Sequence, residues 1–220
     1  MSSELVSILA GVDAVIADGS AGRRHHVLRQ ITVLFVAQAE RLTVDQVCAF
    51  DAVILRLARG LGVEARAELA ASLAGIANAP SMISRELAFD ASSDVAGPIL
   101  QRSTRLSEDD LLHLAEHRER DHLVALAKRA MLSRQLSEAV LKRGNREAIR
   151  ALAENDGAAL SDWMQTSIVK RAVSDPRLRA ALERRSDLSP AHRKRLTEVA
   201  EVQTERLLEQ EFGFDAQGRL

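Results

Sequence analysis

The sequence predicts an all-α fold: a right-handed helical-repeat solenoid of short helices, with longer N-terminal helices and a C-terminal capping helix. Three observations predict it. The pair Leu-Ser recurs at Leu106-Ser107, Leu132-Ser133, Leu160-Ser161 and Leu188-Ser189, with spacings of 26, 28 and 28 residues. Between these marks the apolar residues recur at three and four rather than at two, and a fixed period in the twenties with helical patterning is the mark of stacked helical repeats. Aromatic residues make up only 3% of the chain against 46% apolar residues overall, so alanine and leucine must fill the interior, which suits closely spaced helices.

The elements follow in order. Residues 4 to 17 carry Leu5, Ile8, Leu9, Val12, Val15 and Ile16 at helical spacing. A turn at Asp18–Gly22 leads to a helix over 23 to 39. Thr43-Val44-Asp45-Gln46 reads as a capping box that opens a helix running to Arg59 and stopping at Gly60. Cys48 falls in that apolar run and is expected to be a buried structural thiol. An alanine-rich helix over 63 to 77 ends before Pro80. The helices over 23–39 and 44–59 are apolar around more than a third of their circumference, which suits either an integral bundle or a dimerisation element.

From Pro80 the repeats begin, Pro80-Ser81 being a degenerate copy of the mark. Helices are expected at 82–89 and 93–101, the second distorted by Pro98. The next pairs are 107–116 with 120–129, 133–142 with 145–154, and 161–173 with 176–184. Each serine accepts backbone N–H groups at a helix start, and the leucine before it staples against the first turn. Ser189-Pro190 opens a final helix to 212, proline being tolerated at the first helical position. Helices of about ten residues are not stable alone in water and must stack. The expected organisation is 1–78 as an N-terminal cap or bundle, 79–189 as repeats, 190–212 as a capping helix and 213–220 as a tail.

Composition narrows the function classes. Thirty basic and 31 acidic residues give a formal net charge of −1, so no global footprint for nucleic acid or a membrane surface exists. No apolar run approaches the length of a membrane span, and the first residues lack the basic start of a signal peptide, so a cytoplasmic location is expected. One cysteine excludes an intramolecular disulfide and a cysteine-built zinc site.

Four groups of residues are candidates for chemistry or binding. Asp110, His113 and His117 lie at helical spacing on one face and could hold a metal ion or serve a hydrolase, or else are solvated polar residues. Arg184, Arg185, Arg193, Lys194 and Arg195 form the densest basic stretch, a candidate for phosphate, an acidic partner or nucleic acid. Arg23-Arg24-His25-His26 opens a helix and could hold an anion at its N-terminus, or be a solvated turn. Trp163, the single tryptophan, is either a core plug or a partner anchor. Asp156-Gly157 lies in a loop two residues longer than its counterparts, and insertions of this kind often fall on a binding edge. No Gly-rich nucleotide loop and no Gly-x-Ser-x-Gly elbow occur.

The phrases Asn78-Ala79-Pro80, Leu87-Ala88-Phe89-Asp90, Val95-Ala96-Gly97-Pro98-Ile99-Leu100 and Ser103-Thr104-Arg105-Leu106-Ser107-Glu108-Asp109-Asp110-Leu111 resemble a bacterial, mainly alphaproteobacterial, family. So do Leu152-Ala153-Glu154-Asn155 and Arg185-Ser186-Asp187-Leu188-Ser189-Pro190. The family is the domain of unknown function numbered 2336. The resemblance runs from about Leu73 to Leu188, and the spacing is similar to leucine-rich-variant and HEAT-like repeats. It implies a helical fold and no catalytic assignment, and the added functions of relatives that continue past the last helix do not carry over. The expected function is a non-catalytic scaffold that binds a protein partner, with Trp163, Arg85, Arg102, Arg129 and Arg185 as interface candidates. No cofactor is expected, nucleic acid and membrane are not expected partners, and a homodimer through the N-terminal helices is an open alternative.

Overall fold

A computed structural model describes residues 20–212 together with Val12, Ala14 and Val15; the side chains of Val199 and of residues 203–212 are not described. Most of the expected 4–17 helix and the 213–220 tail therefore lie outside the described residues. The described residues contain twelve α-helices and no strand longer than an isolated bridge. Contacts divide the chain into two compact units, Met1–Arg129 and Ala130–Leu220.

In the first unit the helices are α1 (Ala21–Gln38), α2 (Val44–Ala58), α3 (Val63–Leu73), α4 (Ser81–Ala88), α5 (Ser93–Arg102), α6 (Glu108–His117) and α7 (Arg120–Ala127), with a 3-10 turn at Ala39–Arg41. Helices α1, α3, α5 and α7 touch in succession, as do α2 and α4, and sequence neighbours such as α4 and α5 or α6 and α7 form pairs. This pairing with every second helix stacked is the contact pattern of a repeat. The expected capping box is present: Thr43 Oγ1 accepts from the Gln46 N–H, and the Gln46 side chain accepts from the Thr43 N–H. Gly60 has φ 75°, the left-handed conformation that glycine adopts without strain, and it ends the stretch after α2.

One expectation about these helices changes. Cys48 is exposed, because the inward stripe of α2 is Val47, Phe50, Ile54 and Leu57, while Cys48, Ala52 and Arg56 follow one another on the opposite face. Helix α5 runs unbroken to Arg102 with Pro98 inside it; Val95, Ala96, Ile99 and Leu100 are buried on one side, and that packing carries the helix past the missing N–H.

The second unit contains α8 (Arg134–Arg143), α9 (Arg146–Glu154), α10 (Asp162–Ala172), α11 (Pro176–Arg184) and α12 (Pro190–Phe212). Here α9 stacks on α11 and α10 on α12, while α8 with α9 and α10 with α11 are the pairs. The recurring serines behave as their position dictates at three of four starts. Ser107 accepts from Asp110 N–H at 3.1 Å, Ser133 from Leu136 N–H at 3.0 Å and Ser189 from His192 N–H at 3.3 Å. Ser161 stands at the cap position of α10, but its hydroxyl makes no such bond. At the degenerate copy the serine is already inside the helix. The carboxylate of buried Asp51, from α2, caps α4 in its place and accepts from the Met82 and Ile83 N–H groups at 2.8 and 2.9 Å.

The longer 156–157 loop has a structural task. Leu132 N–H donates to the Gly157 carbonyl at 3.0 Å and Ala159 N–H to the Leu132 carbonyl at 3.3 Å, a parallel bridge that ties two successive repeat turns together. Gly157 is pressed so closely on the preceding turn that a Cβ there would lie 1.8 Å from the Ala130 carbonyl oxygen. Gly157→Ala must push the two turns apart, and we expect it to cost about 1–3 kcal/mol, the range for forced overpacking. A urea midpoint equal to that of the wild type would show that the turns are not in this register.

Candidate functional site

Arginines placed at helix ends are a recurring polar feature, and they reach back to carbonyls of the protein itself. A helix leaves its last carbonyls without intrahelical donors and carries a partial negative charge at that end. Each of five arginines reaches the C-terminal carbonyls of the equivalent helix one repeat earlier. Arg102 donates to the Ala71 carbonyl at 3.4 Å, and Arg129 to the carbonyls of Leu100 and Ser103, the latter at 2.9 Å. Arg118 donates to the Phe89 carbonyl, and Arg171 to the Leu141 carbonyl at 3.2 Å. Arg185 is the most complete case. Its Nη1 donates to the carbonyls of Leu152, Ala153 and Asn155, the last at 2.6 Å, and its Nη2 to Ala158 at 3.0 Å. Both Nε and Nη2 also donate to the Asp187 carboxylate at 2.7 Å. A planar guanidinium with five donors suits this position as lysine cannot.

Three of the five interface candidates therefore serve the fold. Arg185 is 1% exposed and Arg129 half-buried, so neither offers a guanidinium to an outside surface. Burial lowers the Arg129 pKa, the carbonyls that hold it being neutral. Arg102 is exposed but its head group lies on the Ala71 carbonyl. Arg85 is exposed, donates to Asp110 at 2.9 Å and lies 4.7 Å over the Phe89 ring. Trp163 is 46% exposed while its neighbour Met164 is fully buried, so the tryptophan is not a core plug. The reason is phase: Met164, Ile168 and Val169 form the inward stripe of α10, and Trp163 falls outside it.

A second set of ion pairs repeats along the chain. Arg66 meets Asp90 at 2.7 Å, Arg85 meets Asp110 at 2.9 Å and Arg150 meets Asp175 at 2.8 Å, with sequence separations of 24, 25 and 25 residues. Burial pushes the Asp90 and Asp175 carboxyls up. The hydrogen bonds from Arg66 and Arg150, with backbone N–H groups and the arginine charges, outweigh burial and hold both below the usual carboxylate range. The hydrogen bond from Arg185 does the same for Asp187 against its burial.

Asp110, His113 and His117 are not brought together as a set of three ligands. His113 and His117 are exposed and their rings stack at 4.3 Å, with Phe89 stacked on His113 at 5.8 Å. His117 Nδ1 bonds the His113 carbonyl at 2.8 Å, and Asp110 is occupied by Arg85. Among the described residues no three His, Cys, Asp or Glu side chains converge as a metal would require.

The basic stretch near the end is also partly spent: Arg185 is internal, and Arg193 donates to the carbonyls of Leu188, Glu183 and Arg185, leaving Arg184, Lys194 and Arg195 outward. At the start of α1, Arg24 donates to the Arg59 carbonyl at 3.2 Å and His25 pairs with Glu68 at 3.0 Å, so both are directed to protein groups.

One arrangement that sequence reading missed looks like an acid–base set. His192, buried at the start of α12, meets Ser189 Oγ at 2.6 Å through Nδ1 and Thr166 Oγ1 at 2.8 Å through Nε2. Asp162 lies 3.7 Å from the same Nδ1 as the serine. A nucleophile and an orienting acid must sit on opposite ring nitrogens, whereas here Ser189 and Asp162 share one. Thr166, on the other nitrogen, donates its only hydroxyl proton to the Asp162 carbonyl at 3.0 Å. The set fastens the N-terminus of α12 to α10.

The described residues enclose several concavities, of which three each lie within one unit. One of 190 Å³ sits between α1 and α3, where Glu68 is shared by His25 and Arg29 over Leu28 and Leu69. One of 580 Å³ lies between residues 36–41 and 75–78. One of 250 Å³ lies in the second unit beside Asp175. No helix among the described residues is long and apolar enough to cross a membrane.

No curated protein and no solved structure matches the chain. The profile of a bacterial family, described as an uncharacterised protein conserved in bacteria, matches residues 95–219, more than half of the sequence. The arginine-capped helix pairs from α5 to α12 thus lie largely within that match, and the chain belongs to this family, the domain of unknown function 2336.

Proposed function

We propose that the protein is a non-catalytic scaffold of the cytoplasm, whose paired helices are turns of a right-handed, HEAT-like repeat and whose second unit binds a protein partner. The observation that carries this reading is the exposure of Trp163 at 46% and Met131 at 77%. Met131 directly precedes the bridged Leu132, and Trp163 stands in the first helical turn after the bridged Ala158. A rigid turn pair that presents a tryptophan and a methionine to solvent is suited to anchoring another protein. Tryptophan is the residue most enriched at binding hot spots, and methionine adapts its shape to a partner.

The test is affinity capture of the tagged protein from its own cell lysate at two salt concentrations, with wild type and a Trp163→Ala, Met131→Ala variant in parallel. A stoichiometric protein retained by the wild type at high salt is expected. The variant should hold it at least about 30-fold more weakly, the loss that accompanies removal of a hot-spot anchor. Equal retention by both forms, or recovery of the bait alone, would remove the reading.

A further inference from the structure

The 250 Å³ cavity of the second unit is lined by Arg146, Ile149, Arg171, Ser174, Asp175 and Leu178. Its charges do not balance. Asp175 is the single acid on its wall, and its side chain is 3% exposed. That carboxylate is already saturated. Arg150 donates from Nε to both oxygens at 3.0 and 2.9 Å and from Nη2 at 2.8 Å, and the Leu178 N–H caps it at 3.1 Å. Arg146 stands off at 3.7 Å and is largely in solvent. Arg171 has as its partner the Leu141 carbonyl, a neutral group. Arg150, which does not line the cavity, already pairs with that carboxylate, so the wall holds two guanidinium groups, Arg146 and Arg171, neither within hydrogen-bond distance of a carboxylate among the described residues. Glu147 and Glu154 act on Arg150 from α9, and neither lines the cavity.

The shape and the donors select among anions. Helix α11 begins with Pro176, which has no N–H to offer. An anion here is held by side chains, not by a helix end. A single carboxylate would leave one guanidinium unmatched. A phosphomonoester carries a charge of about −1.5 to −2 at neutral pH and several acceptor oxygens, which matches two arginine forks. Ser174 adds a hydroxyl, and Ile149 and Leu178 give an apolar floor for the organic part of the ester.

We propose that this cavity binds a phosphomonoester, with Arg146 and Arg171 gripping the phosphoryl oxygens. The inference is independent of the scaffold reading, because it concerns residues other than Trp163 and Met131. The test is calorimetric titration of the full chain with phenyl phosphate. Saturable binding at millimolar ligand or below is expected. Arg146→Gln and Arg171→Gln should each weaken it on the order of tenfold, the loss typical of one charge-assisted contact. Arg146 is exposed and makes no close bond, so its variant should keep the wild-type melting curve. Benzoate should bind on the order of tenfold more weakly than phenyl phosphate, and Lys194→Gln, elsewhere on the surface, should change nothing. Absence of binding, equal binding of benzoate, or indifference to both arginine variants would overturn the proposal. Titration with free O-phosphoserine and with a phosphoserine peptide separates the sources. Equal affinities place the ligand among free phosphorylated metabolites, and a much tighter peptide places it on a phosphorylated protein.

Discussion

Arg185→Met is expected to lower the stability of the protein by about 3 kcal/mol, roughly 10 °C in melting temperature. The substitution keeps the apolar stem and removes every donor. The buried Ala158 carbonyl then loses its 3.0 Å donor, and the Asn155 carbonyl loses its 2.6 Å donor and keeps only the Ala158 N–H at 3.1 Å. An orphaned buried polar group costs about 1–3 kcal/mol, more than the net gain of an ordinary hydrogen bond. Asp187 adds less to the loss, because its side chain is 45% exposed and water replaces the arginine there. Arg185→Lys should recover only part of the stability, since an ammonium is a point charge that cannot reach four carbonyls and a carboxylate together. Arg184→Ala, one residue away and exposed, should stay within about 0.5 kcal/mol of the wild type. Thermal melts of the four proteins decide the matter, and an Arg185→Met protein as stable as Arg184→Ala would refute the capping role.

Asp175→Ala should be the next most damaging change, at about 2 kcal/mol. It removes the N-cap of α11 and the two-pronged partner of Arg150 at once. Part of the ionic attraction is already screened, since Arg146 and Arg150 reach solvent. The same residue sets a pH dependence. Its carboxyl is held below its ordinary range, so the folded state binds its proton less readily than the unfolded chain does. The stability it contributes is therefore full above that range and is lost as pH falls through the lower folded pKa. Asp90 and Asp187 act in the same direction. Urea midpoints followed downward from about pH 5 should fall in the wild type and fall less steeply in Asp175→Asn, which keeps an acceptor but does not titrate. Parallel slopes for the two proteins would contradict the assignment.

The helix ends were legible in the sequence because they are local. A serine three residues before an open N–H, the Thr43–Gln46 box and Gly60 act within one turn, and the structure keeps them. The stacking of repeats was legible for a related reason: a ten-residue amphipathic helix has no stability of its own, so a regular series of them must pack on itself. The arginines show where this ends. Their recurrence after the last apolar residue of a helix, as at Arg102, Arg129 and Arg185, was visible along the chain. Their target was not, because it is a set of carbonyls about 29 residues earlier, set by how one repeat lies on the next. Read singly, an arginine at a helix end looks solvated, and only the stack shows that it closes the helix before it.

The sequence by itself determined an all-helical chain of short paired helices, their starts and most of their stops. The tertiary structure decided which way each exceptional side chain faces. It turned Cys48 and Trp163 outward through a phase difference of one position on their helices, drew Arg185 inward to meet open carbonyls, and left the arginines around Asp175 in excess over its single charge. The physical reason is range. Caps and periodicity act over three or four residues, whereas burial and charge balance depend on partners that only packing brings together.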